Sequence, residues 1–371
     1  MGVKVGSSHS ASALFARGQS AAAVRKQDVF DLIDANMGTL DRDSNGTVSW
    51  QEMRRAVANP EIKGENAAAV ATLYSLIQEK GAEMGRVRNP PLTPSLLEEM
   101  REERDWALEE GDKPTANLYY DRYLKKLEKA SDELFPKGLP DGLAVRQGYG
   151  PSCAILSTTV AQALLDPQRV KDAVTERPDG KVSVKFPGLA KPIVIPATTD
   201  TETALFATAG KNGSWLNHIE KAWGTTQTSD RLAAFEKSSW PAKSIRAWTH
   251  GEATTETVPK KLTSYHKGEI PVFLKNLNDG LEKGRIVMTW TRNGERQLDG
   301  LISGHAHTVM GFDASEGTLT VRNPWGRQEP TGENGKPRDG KDDGVFELSL
   351  EEYVKDFGRI SLQTSDARPG K

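Results

Sequence analysis

The stretch Arg146-Gln147-Gly148-Tyr149-Gly150-Pro151-Ser152-Cys153-Ala154 contains the only cysteine in the 371-residue sequence. Gly148, Gly150 and Pro151 interrupt regular structure, and apolar residues follow the cysteine at helical spacing. Cys153 is therefore expected at the N-terminus of a helix, where unpaired backbone N–H groups favour the thiolate over the thiol. A solitary thiol in this setting predicts a nucleophile, which needs a base and a group that orients the base.

Candidate partners for the thiol occur together near the C-terminus. They lie in Gly304-His305-Ala306-His307-Thr308-Val309 and in Val321-Arg322-Asn323-Pro324-Trp325-Gly326. His305 follows Cys153 by 152 residues, close to the spacing of about 130–150 residues that papain-type enzymes show. His305 and His307 lie two residues apart and would point to the same face of a strand, so periodicity does not choose between them.

Five short motifs follow one another along residues 138–365. In chain order they are Gln147 six residues before Cys153, Ala204-Leu205-Phe206, the stretch from Trp215 to Gly224, the Gly-His-Ala strand from Gly304, and Asn323-Pro324-Trp325-Gly326 followed by Asp343-Gly344-Val345-Phe346-Glu347-Leu348-Ser349. In this order they resemble the calpain branch of the papain-like cysteine proteases. The resemblance implies an α+β fold, in which a helix carrying the nucleophile packs against a twisted antiparallel sheet carrying the histidine and the asparagine.

The resemblance also implies a role for each matched residue. Cys153 would attack the scissile carbonyl and form a thioester, and His305 would take the thiol proton and return it to the leaving amine. Asn323 would orient the imidazole, and Trp325 would shield their hydrogen bond from water. Gln147 and the backbone N–H of Cys153 would donate to the developing oxyanion.

Several positions depart from the family or have no role in it. Ser152 stands where the family has an acidic residue, and Ala154 stands where it has the tryptophan that usually follows the nucleophile. The smaller side chain of Ala154 changes the floor of the cleft and, with it, the expected substrate preference. His307 occupies a position that is commonly aromatic, so we interpret it as a packing histidine. The histidines without a partner motif are His9, His218, His250 and His266.

A second motif lies near the N-terminus, where residues 41–52 form a complete twelve-residue EF-hand loop. Calcium prefers six to eight oxygen ligands, and the predicted ligands are the side chains of Asp41, Asp43 and Asn45, the carbonyl of Thr47, Ser49, and a bidentate Glu52. Gly46 permits the turn, and Ser49 with Glu52 forms a capping box for the exit helix. The sequence therefore predicts Ca²⁺ as a cofactor.

This loop is solitary, because no second twelve-residue stretch of the pattern occurs in the sequence. EF-hands usually pair, and Val48 has no evident intramolecular partner for its short β contact. The exposed face of the hand could be covered by the helices that follow in the chain. It could also be covered by a second molecule, which would make a homodimer through the unpaired hand.

Glycine, proline and changes in periodicity divide the chain into five segments. We predict a flexible arm (1–23), the EF-hand (24–60), a helical hairpin region (61–136), the calpain-like catalytic core (137–366) and a polar tail (367–371). Helices are expected over 93–110 and 115–134. Strands are expected around 182–186, at 193–195, and over 285–291, 306–312 and 318–322.

Composition limits the remaining classes of function. The chain is 36% hydrophobic and 27% charged with a net charge of −2, so it offers no excess of basic residues for nucleic acid. No apolar run reaches the 18 residues of a transmembrane helix, and the N-terminus lacks the apolar centre of a signal peptide. We expect a cytoplasmic protein, with export without such a signal left open.

These observations together predict a calcium-dependent, calpain-like cysteine endopeptidase that acts on proteins or peptides. Two alternatives remain. The first is a calcium-responsive binding protein whose protease-like region no longer turns over. The second is a papain-fold acyltransferase or deamidase, because folds of this kind support those reactions as well.

Overall fold

The computed structural model describes residues 28–85, 89–262, 266–294 and 298–365, in which helices combine with antiparallel sheets in an α+β arrangement. The arm predicted for residues 1–23, with His9, and the tail at 367–371 lie outside the described residues. The helices are α1 Val29–Leu40, α2 Trp50–Val57, α3 Gly64–Glu83, α4 Pro94–Glu109, α5 Thr115–Glu128, α6 Cys153–Leu165, α7 Pro167–Ala173, α8 Asp200–Leu205, α9 Trp215–Thr225, α10 Pro241–Thr249, α11 Lys275–Glu282 and α12 Leu350–Asp356. The strands are β1 Val174–Glu176, β2 Lys181–Val184, β3 Ile193–Pro196, β4 Ala253–Thr257, β5 Val287–Thr291, β6 Ala306–Asp313, β7 Thr318–Arg322, β8 Val345–Ser349 and β9 Phe357–Gln363.

Helices α1 to α5 pack around α3 and form the first hydrophobic core. Helix α3 is buried on nearly every side because α1, α2, α5 and α8 surround it. Its many alanines allow this close approach of neighbouring helices. Phe206 and Phe235, from the C-terminal part of the chain, belong to the same core. The N-terminal helices are therefore packed directly against the region that carries the candidate catalytic residues.

The sequence showed no evident intramolecular partner for Val48, but the structure provides one. Val48 and Leu92 exchange two backbone hydrogen bonds of 2.9 Å in an antiparallel bridge. The β contact that a second molecule would have used in a homodimer is thus made by the chain itself.

Helix α5 ends at Glu128 rather than at the predicted Leu134. Beyond it, the carbonyls of Asp132 and Glu133 accept hydrogen bonds from the hydroxyl and backbone N–H of Ser214. Leu134 is buried in the second hydrophobic core. These tertiary contacts replace the helical hydrogen bonds that local sequence alone would favour.

The second core surrounds α6, α9, α10 and the small antiparallel sheet β1-β2-β3. The predicted strand around 182–186 is found as β2, but it ends at Val184. Phe186 lies beyond the strand because its ring packs edge-on against Trp223 and Trp248, with centroid distances of 5.5 and 5.2 Å.

A six-stranded antiparallel sheet in the order β4-β9-β5-β6-β7-β8 carries the third core. Strands β5, β6 and β7 confirm the three strands predicted in this part of the chain, with β5 starting at Val287 instead of Arg285. Among the described helices, none combines the length and apolar composition that a bilayer-spanning segment requires.

Candidate active site

Cys153 is the first residue of α6 and is buried. Burial raises the pKa of its thiol, while backbone N–H groups of Ala306, Ala154 and Cys153 itself act in the opposite direction. The backbone N–H groups at the helix N-terminus thus favour the thiolate, as the sequence indicated. The effect of burial on the pKa is larger and favours the thiol. The thiol is therefore mainly protonated at neutral pH, and attack on a carbonyl requires a base.

Two hydrogen bonds attach the nucleophile helix to β6. The Ser157 hydroxyl donates to the Ala306 carbonyl at 3.1 Å, and the Thr308 hydroxyl donates to the Ser157 carbonyl at 2.8 Å. Because Ser157 lies one helical turn after Cys153, these bonds set the sulfur opposite the first residues of β6. His305 immediately precedes that strand.

The His305 ring pairs with Asn323, with 2.9 Å between Nε2 and Oδ1. The Asn323 Nδ2 group donates to the Gln328 carbonyl at 3.0 Å, and Oδ1 also accepts from the Trp325 backbone N–H at 2.9 Å. These contacts orient the amide with its oxygen toward the ring, so Nε2 carries the hydrogen and Nδ1 keeps its lone pair. The Trp325 ring covers the pair, with its centroid 5.1 Å from that of His305.

The environment of His305 favours the neutral imidazole. Burial lowers its pKa to about 4, although the hydrogen bond to Asn323 opposes this shift. A neutral ring with a free lone pair on Nδ1 is a proton acceptor at neutral pH. Within the described residues, no hydrogen bond joins this ring to the Cys153 thiol.

Gln147 lies in the loop that leads to Cys153. Its backbone N–H donates to the Pro324 carbonyl and its Nε2 group to the Gly150 carbonyl, both at 2.8 Å. The loop runs tightly against the segment before Ala207, because a Cβ on Gly148 would lie 2.2 Å from the Leu205 carbonyl oxygen. Gln147 is thereby held between the nucleophile loop and the turn that follows Asn323.

Of the other described histidines, two are buried among packing contacts and two are exposed. His307 is fully buried, its Nδ1 lies 3.3 Å from the His305 carbonyl, and its ring contacts Phe346 and Phe357 edge-on. The ring nitrogens of His218 contact the Ser214 carbonyl and the Thr198 backbone N–H. His250 and His266 are exposed.

Sequence reasoning missed a buried polar network behind the nucleophile. The Ser152 hydroxyl donates to Oε1 of Glu220, whose Oε2 accepts from the Ala207 backbone N–H at 2.8 Å. Lys126 of α5 is half-buried nearby, and its ammonium group donates to the carbonyls of Ala204 and Phe206. Glu220 could have been singled out as an acidic residue within a mostly apolar helix, whereas nothing local distinguishes Lys126 from its neighbours.

The carboxylates of Asp41, Asp43 and Glu52 converge between α1 and α2, with one oxygen from each within 4.8 Å of the others. Glu52 accepts from the backbone N–H groups of Arg42 and Ser49, each at 2.9 Å, and these hydrogen bonds lower the pKa of its carboxyl, the Ser49 bond most strongly. Asn45, Thr47 and Ser49 complete the loop. Clustered carboxylate, amide and carbonyl oxygens match the donors that Ca²⁺ prefers.

Comparison with known proteins relates part of the chain to a thiol protease. No family model matches the chain. A thiol protease of Porphyromonas gingivalis (strain ATCC BAA-308 / W83) is 36% identical over 80 residues, which cover 17% of this chain and 17% of that protein. The chain thus spans less than a fifth of the length of this curated relative, and the similarity supports a relation to cysteine proteases at most.

Proposed function

We propose that the chain is a calcium-dependent, calpain-like cysteine endopeptidase that cleaves proteins or peptides through Cys153, His305 and Asn323. The observation that carries this proposal is the His305–Asn323 hydrogen bond beside the helix that begins with the lone cysteine. The short similarity to a thiol protease agrees with the reaction class.

The proposed reaction begins from a neutral pair. As the Cys153 sulfur attacks the scissile carbonyl, His305 Nδ1 takes the thiol proton, and the imidazolium is stabilised by its Nε2–H bond to Asn323. The same proton then passes to the leaving amine as the carbon–nitrogen bond breaks, which leaves a thioester. Water attacks the thioester with His305 as the base, and this step releases the acid and restores the thiol.

The oxyanion that forms during each attack needs donors. The backbone N–H of Cys153, at the start of α6, and the Nε2 group of Gln147 are the groups we assign to this role. Nε2 carries two hydrogens, and its bond to the Gly150 carbonyl occupies one. A donor of this kind contributes about 2.7–4 kcal/mol to transition-state stabilisation in comparable sites.

Calcium dependence is the second part of the proposal. Asp41, Asp43, Asn45, Thr47, Ser49 and Glu52 are the residues that would hold the ion. When bound, Ca²⁺ would neutralise the converging carboxylates and stiffen the loop. We infer that the exit helix α2 carries this effect to the catalytic region, because Arg54 pairs there with Glu236 and Asp230.

Incubation of the full chain with casein tests the proposal. We expect cleavage with calcium, a strong decrease with chelator, and no cleavage by Cys153→Ala. Cleavage that survives the alanine substitution would contradict the assignment of the nucleophile. Amine incorporation into casein without proteolysis would instead identify an acyltransferase.

One observation favours a second candidate, a calcium-responsive binding protein without turnover. Among the described residues, no hydrogen bond joins the Cys153 thiol to the His305 ring, and burial shifts the pKa of each group toward its uncharged form. Calcium binding together with uncleaved casein at high protein concentration would support this candidate.

A further inference from the structure

A cavity of about 560 Å³ opens beside the candidate catalytic histidine. Its lining includes Trp240, Trp290 of β5, Arg359 of β9 and the exposed Lys260. Trp240 is 69% exposed, which is unusual for an indole that only fills a core. Its ring faces the Arg359 guanidinium, with 5.6 Å between the guanidinium carbon and the ring centroid.

Two residues that line this cavity are connected closely to the proposed catalytic residues. Gly304 lines the cavity and directly precedes His305. Trp240 directly precedes α10, whose Ser244 hydroxyl donates to the Ala154 carbonyl at 3.3 Å, next to Cys153. A polypeptide lying across Cys153 and His305 would therefore place a neighbouring side chain in the cavity.

The lining of the cavity is cationic. It contains Lys260, Arg292 and Arg359, and none of its described lining residues is acidic. Arg292 is engaged within the fold, because its guanidinium donates to the carbonyls of Val258, Pro259 and Val354. No ion pair in the described chain involves Lys260 or Arg359, so both charges are available to a ligand.

The nearest acidic residue on the adjacent strand does not compensate this charge. Glu256 precedes Thr257, which lines the cavity, and successive residues of a strand point to opposite faces. The Glu256 carboxylate accepts from Asn276 at 2.7 Å. The positive charge is therefore local to the cavity, although the chain as a whole has a net charge of −2.

We propose that this cavity is a substrate subsite that accepts an aspartate or glutamate side chain. The inference rests on the proposed protease function and adds a substrate class to it. The indole faces of Trp240 and Trp290 contact the apolar stem of the side chain, and Arg359 with Lys260 binds its carboxylate. Calcium-loaded protein therefore cleaves preferentially near acidic residues.

Two measurements on the full chain test this subsite. In the first, a peptide library made from a whole-cell protein digest is cleaved with calcium, and the cleavage sites are identified by mass spectrometry. In the second, immobilised Cys153→Ala protein retains peptides from the same library, which reports binding without turnover. Arg359→Glu is the test variant, and Lys211→Glu, an exposed residue outside the cavity, is the matched control.

The subsite predicts that aspartate and glutamate are enriched about three- to tenfold over asparagine and glutamine at one fixed position, in both measurements. Arg359→Glu abolishes or reverses this preference, Lys211→Glu keeps it, and added salt weakens it. Cysteine-dependent cleavage with no acidic preference overturns the subsite and leaves the protease proposal intact. Charge-dependent retention without any cleavage supports the subsite and overturns the protease, and the absence of both overturns the subsite.

Discussion

Ser152, the residue before the proposed nucleophile, donates a hydrogen bond to the buried carboxylate of Glu220. Glu220 in turn accepts from the Ala207 backbone N–H and lies near Lys126 of the N-terminal helices. Burial raises the pKa of Glu220 and lowers that of Lys126 to about 7, and each charge favours the other. The start of α6 is thus positioned by a polar network that reaches into the helical region.

Substitutions at Ser152 test whether this network positions Cys153. Ser152→Ala removes a hydrogen bond to a charged group and should cost about 1.5–3 kcal/mol of the free energy of unfolding. We expect a decrease of about tenfold in kcat with little change in KM, because substrate contacts remain. Ser152→Asp introduces the acidic residue that calpains have at this position and places its carboxylate against that of Glu220. Repulsion between the two carboxylates should lower kcat further than Ser152→Ala does. Kinetics on a peptide substrate with urea unfolding would check this order, and equal kcat for wild type and Ser152→Asp would contradict it.

A pH-dependent loss of stability is predicted from His218. Its Nδ1 lies 2.7 Å from the Ser214 carbonyl and its Nε2 3.2 Å from the Thr198 backbone nitrogen, an arrangement that requires a neutral ring. Burial lowers its pKa to about 4, against about 6.5 in the unfolded chain. The unfolded state therefore binds the extra proton first, and stability is lost as the pH falls from about 6.5 toward about 4.

His218→Gln should remove this share of the pH dependence. The free energy of unfolding should decrease in both proteins as the pH falls from 7 to 5. We expect this decrease to be smaller in the variant than in wild type, by on the order of 2 kcal/mol. Urea unfolding at several pH values measures the difference. The exposed His250→Gln is the matched control and should behave as wild type. An identical pH dependence in His218→Gln and wild type would show that His218 titrates normally.

Two substitutions in the loop from Asp41 to Glu52 separate calcium binding from folding. Asp43 is exposed, and among the described residues its carboxylate accepts only the Asn45 backbone N–H, so Asp43→Ala should abolish one calcium-binding event with little effect on calcium-free stability. Glu52 also holds the capping box of α2, so Glu52→Ala should lose the ion and about 1–2 kcal/mol of stability. Calorimetric titration and unfolding in chelator measure both, and an unchanged titration in either variant would exclude this loop as the site.

The contact between Arg54 and Glu236 is predicted to transmit calcium binding. Arg54 Nε donates to Glu236 at 2.8 Å, and the Trp50 indole donates to the same carboxylate at 3.2 Å. Glu236 ends the 3-10 helix Arg231–Glu236, and the Phe235 carbonyl in this helix closely approaches Gly150 of the nucleophile loop. A movement of α2 would therefore be transmitted to the loop before Cys153 through the contacts of Arg54 with Glu236 and of Phe235 with Gly150.

Arg54→Met should leave calcium affinity nearly unchanged but lower calcium-stimulated activity about three- to tenfold. Arg55→Met, on the exposed side of the same helix, is the matched control and should resemble wild type. Activity measured against calcium concentration for the three proteins tests this. Coincident curves for Arg54→Met and wild type would mean that the ion acts by another route.

Local features could be predicted from the sequence, but contacts between distant segments could not. Glycine and proline before Cys153 correctly predicted the start of α6, and Ser49 with Glu52 correctly predicted a capping box, because both depend on neighbouring residues. The Val48–Leu92 bridge and the Lys126–Glu220 network join residues 44 and 94 positions apart. No local pattern encodes such pairs, since they depend on how whole helices pack.

Burial also changed the chemistry expected from the sequence. The helix N-terminus suggested a thiolate at Cys153, yet removal from solvent raises the pKa of the thiol and lowers that of His305. Desolvation depends on side chains from α6, β6 and the Asn323 turn together, so spacing along the chain does not predict it. The proposed attack on the carbonyl therefore depends on proton transfer to His305 as the bond forms, and not on a preformed ion pair.

Labelling of Cys153 by an epoxide inhibitor of papain-like enzymes, followed by mass spectrometry, tests this claim most directly. With calcium, the wild-type chain should gain one adduct on the peptide that contains Cys153, chelator should suppress it, and His305→Ala should slow it by a factor of about 100 or more. Equal labelling rates in wild type and folded His305→Ala, or no adduct in calcium-loaded wild type, would contradict the central role of this pair.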